Sequence, residues 1–182
     1  MFINKMHGAN FALSKEPSAD AIVGIFNQCF GQTYNVEISG GADEPLYTPA
    51  TPTKAAQLIF RENFPASALH EAAHWCIAGE LRRNSTDFAL TYIAAPRSET
   101  EQEQFLAAEV RTQSLESIFA AAANVTFNPS ADNLDCDVSD FVEAIAEYNA
   151  KTLIWLNSKA GSRAMQFREA LITLTEYGRV DG

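Results

Sequence analysis

Residues 70–74 read His70-Glu71-Ala72-Ala73-His74, the pattern HExxH. Two histidines four residues apart stand on one face of a helix, one turn above the other. Their imidazoles can converge on one metal ion, and Glu71 sits close enough in rotation to reach a metal-bound water. The chain has only three histidines, His7, His70 and His74, so the motif uses two of them. The bland reading is a helix with two partly buried histidines hydrogen-bonded to carboxylates, with Glu71 a solvated charge.

Two imidazoles leave a metal site incomplete. No histidine follows His74 where a third zinc ligand of an extended protease motif would stand. His7 lies in a polar stretch that carries no helix or strand pattern. A carboxylate is therefore expected as third ligand, with Asp87, Glu109 and Glu116 as candidates. Glu109 falls at the margin of a helix's apolar face, roughly 40° round from Phe105. Glu116 shares that side two turns on, and reads as an ordinary exposed helix glutamate. Two histidines and a carboxylate serve two chemistries. Zinc so bound activates water for hydrolysis, with Glu71 as general base. Ferrous iron so bound forms the facial triad of non-haem oxygenases. Spacing alone leaves both open, and a bare HExxH favours a zinc-dependent metallopeptidase or related hydrolase. A third reading is a binding domain with a structural metal or none.

The elements that must position these groups follow from periodicity. Ser18 and Asp20 open a helix carrying Ile22, Phe26 and Phe30, with Gly31 as its stop. Residues 34–38 alternate as a half-buried strand that Gly40-Gly41 breaks. Three prolines make residues 43–53 an extended loop. Leu58-Ile59-Phe60 is a strand candidate. Residues 65–83 read as one helix, with Arg82 and Arg83 suiting its negative end and needing no functional explanation. Trp75 and Cys76 point to core. Residues 87–94 read as a strand. Ser98 with Glu101 has the form of a capping box for a helix to about Ala123. That helix would bury Phe105, Ala108, Thr112, Leu115, Phe119 and Ala122 on one face. Residues 139–158 and 164–177 are two further helices. The expectation is an α+β fold, a mostly helical single domain with a small β-sheet and a metalloprotease-like HExxH helix. A flexible lead-in over 1–18 would precede the domain at 19–182.

The 182 residues suit one domain with a substantial core. Thirteen Lys and Arg against 23 Asp and Glu give a net charge of −10, which argues against nucleic-acid binding through phosphate contacts. Three scattered cysteines suggest reduced thiols and a cytoplasmic protein. No signal peptide or membrane span is legible. Residues 132–137 resemble a calcium loop in acidity only. No nucleotide fingerprint is present, since Gly40-Gly41 is not part of GxGxxG.

A string of motifs now goes beyond the metal pair. It comprises Ile25-Phe26-Asn27 with Cys29-Phe30, then Asp43-Glu44-Pro45-Leu46-Tyr47 with Pro49-Ala50. It continues through Ala66-Ser67-Ala68-Leu69 into the HExxH, Trp75-Cys76-Ile77-Ala78-Gly79, Arg82-Arg83 and Asp87-Phe88. Gln102, Gln104-Phe105, Glu109-Val110, Gln113, Phe127-Asn128 and Asp132-Asn133-Leu134 complete it. In these residues, about 22 to 135, the chain resembles the elongation factor P hydroxylase family. The stretch to about Ser18 has no counterpart that we can place. The resemblance implies a metal-dependent non-haem iron oxygenase. It would use dioxygen to hydroxylate the β-lysylated lysine of elongation factor P, with Fe(II) as cofactor and Zn(II) or another divalent ion possible in a purified sample. It implies His70, His74 and Glu109 as ligands and Glu71 as a base or orienting group. Asp43 and Glu44, in the Pro-rich loop, could then meet the substrate's amino groups; the bland alternative is a solvated turn.

Overall fold

The computed structural model describes residues 16–90, 98–130 and 139–177. The lead-in up to residue 15, His7, residues 91–94 of the expected third strand, and the acidic run 132–137 lie outside them.

The first helix, α1 (Ala19–Tyr34), starts where Ser18 accepts a hydrogen bond from the Ala21 N–H at 3.2 Å. It buries Ile22, Phe26 and Phe30, one per turn. It runs through Gly31, the expected stop, and ends at Asn35 in the left-handed conformation (φ 49°). A mid-helix glycine costs only about 1 kcal/mol, and asparagine is a natural left-handed cap.

Strand β1 (Val36–Ala42) therefore begins two residues later than alternation suggested, and it continues through Gly40-Gly41. There its parallel pairing with β3 (Ala56–Arg61) slips register between Ser39 and Ala42. The pair of glycines makes this bulge possible. A Cβ on Gly40 would come within 2.5 Å of the Phe60 ring, and Gly41 has φ +93°. The loop expected over 43–53 contains a short edge strand, β2 (Leu46–Thr48), antiparallel to β3. Sheet order is β1-β3-β2.

Helix α2 (Pro65–Ile77) carries the HExxH motif, with proline at its first turn. The single helix expected to residue 83 is in fact two. Ala78 and Gly79 are extended, and α3 (Glu80–Arg83) follows. The break is held by distant side chains. Arg163 donates to the Cys76 and Ala78 carbonyls at 3.0 and 2.7 Å, and Arg83 donates to the Ala78 carbonyl at 2.7 Å. Two guanidiniums thus take the terminal carbonyls of α2, where positive charge is favoured. Residues 86–89 are a 3₁₀ turn, where a strand was expected.

The capping box forms as expected: Ser98 accepts from the Glu101 N–H, and Glu101 from the Ser98 N–H at 2.8 Å. It opens α4 (Glu99–Ala123), which is followed by α5 (Ser139–Leu156) and α6 (Ser162–Tyr177). Leu115, Phe119 and Thr112 of α4 are buried as expected, whereas Ala108 is exposed. Packing α4 against α2, α5 and α6 also buries Glu109, Gln113, Ser114 and Glu116. Phe26, Phe30, Trp75, Phe119 and Phe167 form a continuous aromatic core with centroids 4.8 to 6.1 Å apart. The architecture is the expected α+β fold, mostly helical with a small mixed sheet. Trp75 and Cys76 are core residues, 1% exposed each.

Candidate metal centre

Helix α2 presents His70 and His74 toward α4, with their rings edge-to-face and their Nε2 atoms 3.1 Å apart. Glu109 of α4 faces both. Its Oε1 is 3.4 Å from His74 Nε2 and its Oε2 is 3.7 Å from His70 Nε2. One donor atom from each of the three residues lies within 4.8 Å of the others. Asp87 and Glu116, the other carboxylates weighed as third ligand, are used differently.

Glu116 is buried, not exposed as its sequence position suggested. Its Oε2 lies 2.8 Å from His70 Nδ1. A carboxylate can only accept there, so Nδ1 carries the proton and Nε2 of the neutral ring keeps its lone pair. His74 Nδ1 faces the Thr112 hydroxyl at 3.5 Å. Gln113 donates to Glu109 Oε2 at 3.3 Å. The same amide is pinned by the Ser130 backbone, donating to its carbonyl at 2.7 Å and accepting from its N–H at 3.0 Å. Residues 109, 112 and 116 stand at i, i+3 and i+7, one stripe of α4 along the two histidines. Sequence reasoning missed Thr112, Gln113 and Glu116 as partners; the common stripe of 109, 112 and 116 was there to be read, but not which histidine each would meet.

The electrostatics suit a cation. Burial alone would lower the His70 pKa, but the Glu116 hydrogen bond and the charges of Glu116, Glu109 and Glu71 raise it to about 10. Burial would raise Glu109, yet its contacts with His74, His70 and Gln113 hold it down at about 2. Burial raises Glu71, against the lowering influence of the two histidines. Two imidazole nitrogens and a carboxylate therefore converge without an apolar filler, and something positive must sit among them: a proton or a metal ion. The nitrogen and oxygen donors fit a zinc or non-haem iron ion.

A third wall comes from the 3₁₀ turn. Phe88 stacks on Tyr47 (4.1 Å, 17°) and lies parallel to the His74 ring at 6.4 Å. Asp87 Oδ1 accepts from the Tyr47 N–H at 2.8 Å, and the Tyr47 hydroxyl donates to the Arg83 carbonyl at 2.8 Å. Asp43 and Glu44 lie exposed on the turn between β1 and β2.

Comparison with known proteins bears on what this geometry serves. A family model described as elongation factor P hydroxylase matches residues 25–180. A curated relative from Haemophilus influenzae, named elongation factor P lysine hydroxylase, is 40% identical over 161 residues, covering 86% of this chain and 89% of the relative. The match runs through the HExxH helix, the Asp87-Phe88 turn and the carboxylate stripe of α4, and on its extent the chain belongs to the elongation factor P hydroxylase family.

Proposed function

We propose that this protein hydroxylates a lysine side chain of elongation factor P as a non-haem iron monooxygenase. The observation that carries the reading is the convergence of His70, His74 and Glu109 in a chain whose relative is named for lysine hydroxylation. In this reading His70 and His74 are the imidazole ligands and Glu109 the carboxylate, three donors on one side of the ion. Ferrous iron held there supplies the activation of dioxygen that inserting an oxygen atom into a C–H bond requires.

The remaining roles belong to the chain's own residues. Glu116 keeps the proton of His70 on Nδ1, so that Nε2 faces inward. The Thr112 hydroxyl stands against Nδ1 of His74 at longer range and orients that ring, and Gln113 fixes the rotamer of Glu109. Glu71 holds or passes a proton at its carboxylate beside the ring pair; its burial favours the protonated form. The substrate lysine is β-lysylated, and the exposed Asp43 and Glu44 meet its amino groups. The protein acts in the cytoplasm on a protein partner, without nucleic-acid contact. None of the described helices is long and apolar enough to cross a membrane.

Anaerobic loading with ferrous iron, then addition of dioxygen, a two-electron reductant such as ascorbate and modified elongation factor P, should raise the substrate mass by about 16 Da, one oxygen atom entering the C–H bond and the other leaving as water. Glu109→Ala should lose iron with an unchanged helical circular-dichroism spectrum. Retained hydroxylation in His70→Ala would overturn the site. Peptide cleavage by the zinc-loaded protein, stopped by Glu71→Gln, would establish a hydrolase instead.

A further inference from the structure

We infer that the cavity where α4 and α5 meet the end of α2 docks an acidic side chain of the protein substrate, with Arg111 and Lys151 as its two cations. The inference rests on the lysine hydroxylase reading above for the identity of the partner and adds a contact surface to it. The cavity measures about 100 Å³ and is lined by Ile77 of α2, Arg111 and Leu115 of α4, and Tyr148, Lys151 and Trp155 of α5. Sites for cofactors and small molecules begin at roughly 300 Å³, whereas the volume here suits one side chain. Ile77 and Leu115 lie one helical turn beyond His74 and Thr112, so the cavity adjoins the metal centre along the seam between α2 and α4. A protein partner covering an interface of ordinary size, roughly 800 Å² on its side, spans both.

The Arg111 guanidinium lies over the Trp155 ring at 5.1 Å, and Lys151 Nζ over the Tyr148 ring at 5.2 Å. These ring contacts engage the charges and leave the N–H donors unspent. Among the described residues no carboxylate stands within 4.0 Å of either cation and no protein oxygen accepts from one, although Glu147 is one turn before Lys151. Arg111 is half-buried, so its fork is partly withdrawn from water without an acceptor. The Thr152 hydroxyl, also in the wall, is taken by Ser114 at 2.7 Å. A carboxylate is the complementary ligand, since it takes two parallel bonds from a guanidinium. Its methylenes would meet Ile77, Leu115 and the two rings. In a chain of net charge −10, most of the surface repels such a group, so a cation pair beside the metal centre fixes where the partner can sit.

The test measures the dissociation constant between iron-loaded enzyme and modified elongation factor P without dioxygen, so that binding is read apart from turnover. Arg111→Gln should weaken binding about tenfold, the scale of one charge-assisted hydrogen bond, with iron content as in wild type. Lys151→Gln, at an exposed position, should weaken it about threefold at low salt, and that difference should vanish by about 0.5 M salt, as an exposed charge pair requires. Should Arg111→Gln fail to fold, Lys151→Gln carries the test. Neutralising the factor's surface carboxylates one at a time should find one position that costs wild type about tenfold and costs Arg111→Gln nothing further. Wild-type affinity in both variants, or no carboxylate coupled to either cation, overturns the inference and leaves the hydroxylase reading standing. A wild type that does not bind the factor also overturns it. Binding with this coupling, but no change of substrate mass once dioxygen and reductant are added, overturns the hydroxylase reading and leaves the docking site standing.

Discussion

Helix α2 has two buried faces built on opposite principles. Leu69, Ala72, Ala73, Trp75 and Cys76 enter the aromatic core and are at most 1% exposed. Trp75 meets Phe26, Phe30 and Tyr34 at 4.8 to 5.3 Å, and the guanidiniums of Arg163 and Arg83 lie over its ring at 5.1 and 5.5 Å. One residue away, His70 and His74 face a stripe of α4 that offers Glu109, Thr112 and Glu116. The first face is held by shape and the removal of apolar area from water. The second is held by direction, each polar atom being fixed by another. A polar seam of this kind adds less to stability than an apolar one of equal size and is sensitive to the loss of any partner. The contrast implies that the two faces can be damaged separately.

The largest separable effect is expected on the apolar face. Trp75→Ala should lower unfolding free energy by about 3–5 kcal/mol in denaturant titrations, as large core truncations do. The fraction that remains folded should still bind its full complement of metal. A folded fraction that has lost the metal would show that the two faces act as one. On the polar face Glu116→Gln should invert the outcome. Metal affinity should fall roughly 10–100-fold, the usual cost of removing a carboxylate behind a histidine ligand, in protein that remains folded at about 25 °C. Unchanged metal affinity in that variant would reduce Glu116 to a buried charge with no part in the centre.

The two faces also differed in how far they could be read from the chain. Ile22, Phe26, Phe30, Trp75 and Phe119 follow helical spacing, so the apolar core was legible, and the capping box placed the start of α4. His70 and His74 were legible for the same reason, since both stand on one element. Glu116 was misread although it lies only roughly 20° round from Glu109 on a helix. Its role depends on His70, 46 residues away, and no local pattern records that pairing. The end of α2 was hidden likewise, because Arg163 ends it from α6. At Gly40-Gly41 a turn signal concealed a bulge: the same residues that end a strand also let one bend. The Asp87–Ala89 turn carries no glycine, so nothing local announced its left-handed backbone. Glu16 makes a further long-range tie, accepting from the Thr126 N–H at 3.0 Å.

The smallest effect distinguishes the faces by pH, and only the polar one should respond. In metal-free protein the His70 pKa is raised from 6.5 to about 10, so protonated His70 contributes stability that is fully present below pH 6.5. That contribution is lost as pH rises through about 10. Glu109 is lowered from 4.5 to about 2, so its contribution is present above pH 4.5 and lost as pH falls toward 2. The thermal midpoint of metal-free protein should therefore be flat between about pH 4.5 and 6.5 as far as these two groups decide it, and decline on the alkaline side. Other groups titrate there as well, so the informative quantity is the difference between wild type and Glu116→Gln. Removing the Glu116 charge takes away the leading interaction that raises His70, and the two curves should converge by about pH 10. Bound metal should reverse the trend, since it competes with the His70 proton and binds more tightly as that proton leaves. A wild type and variant whose midpoints stay a constant distance apart from pH 6.5 to 10 would show that Glu116 does not hold the proton on His70.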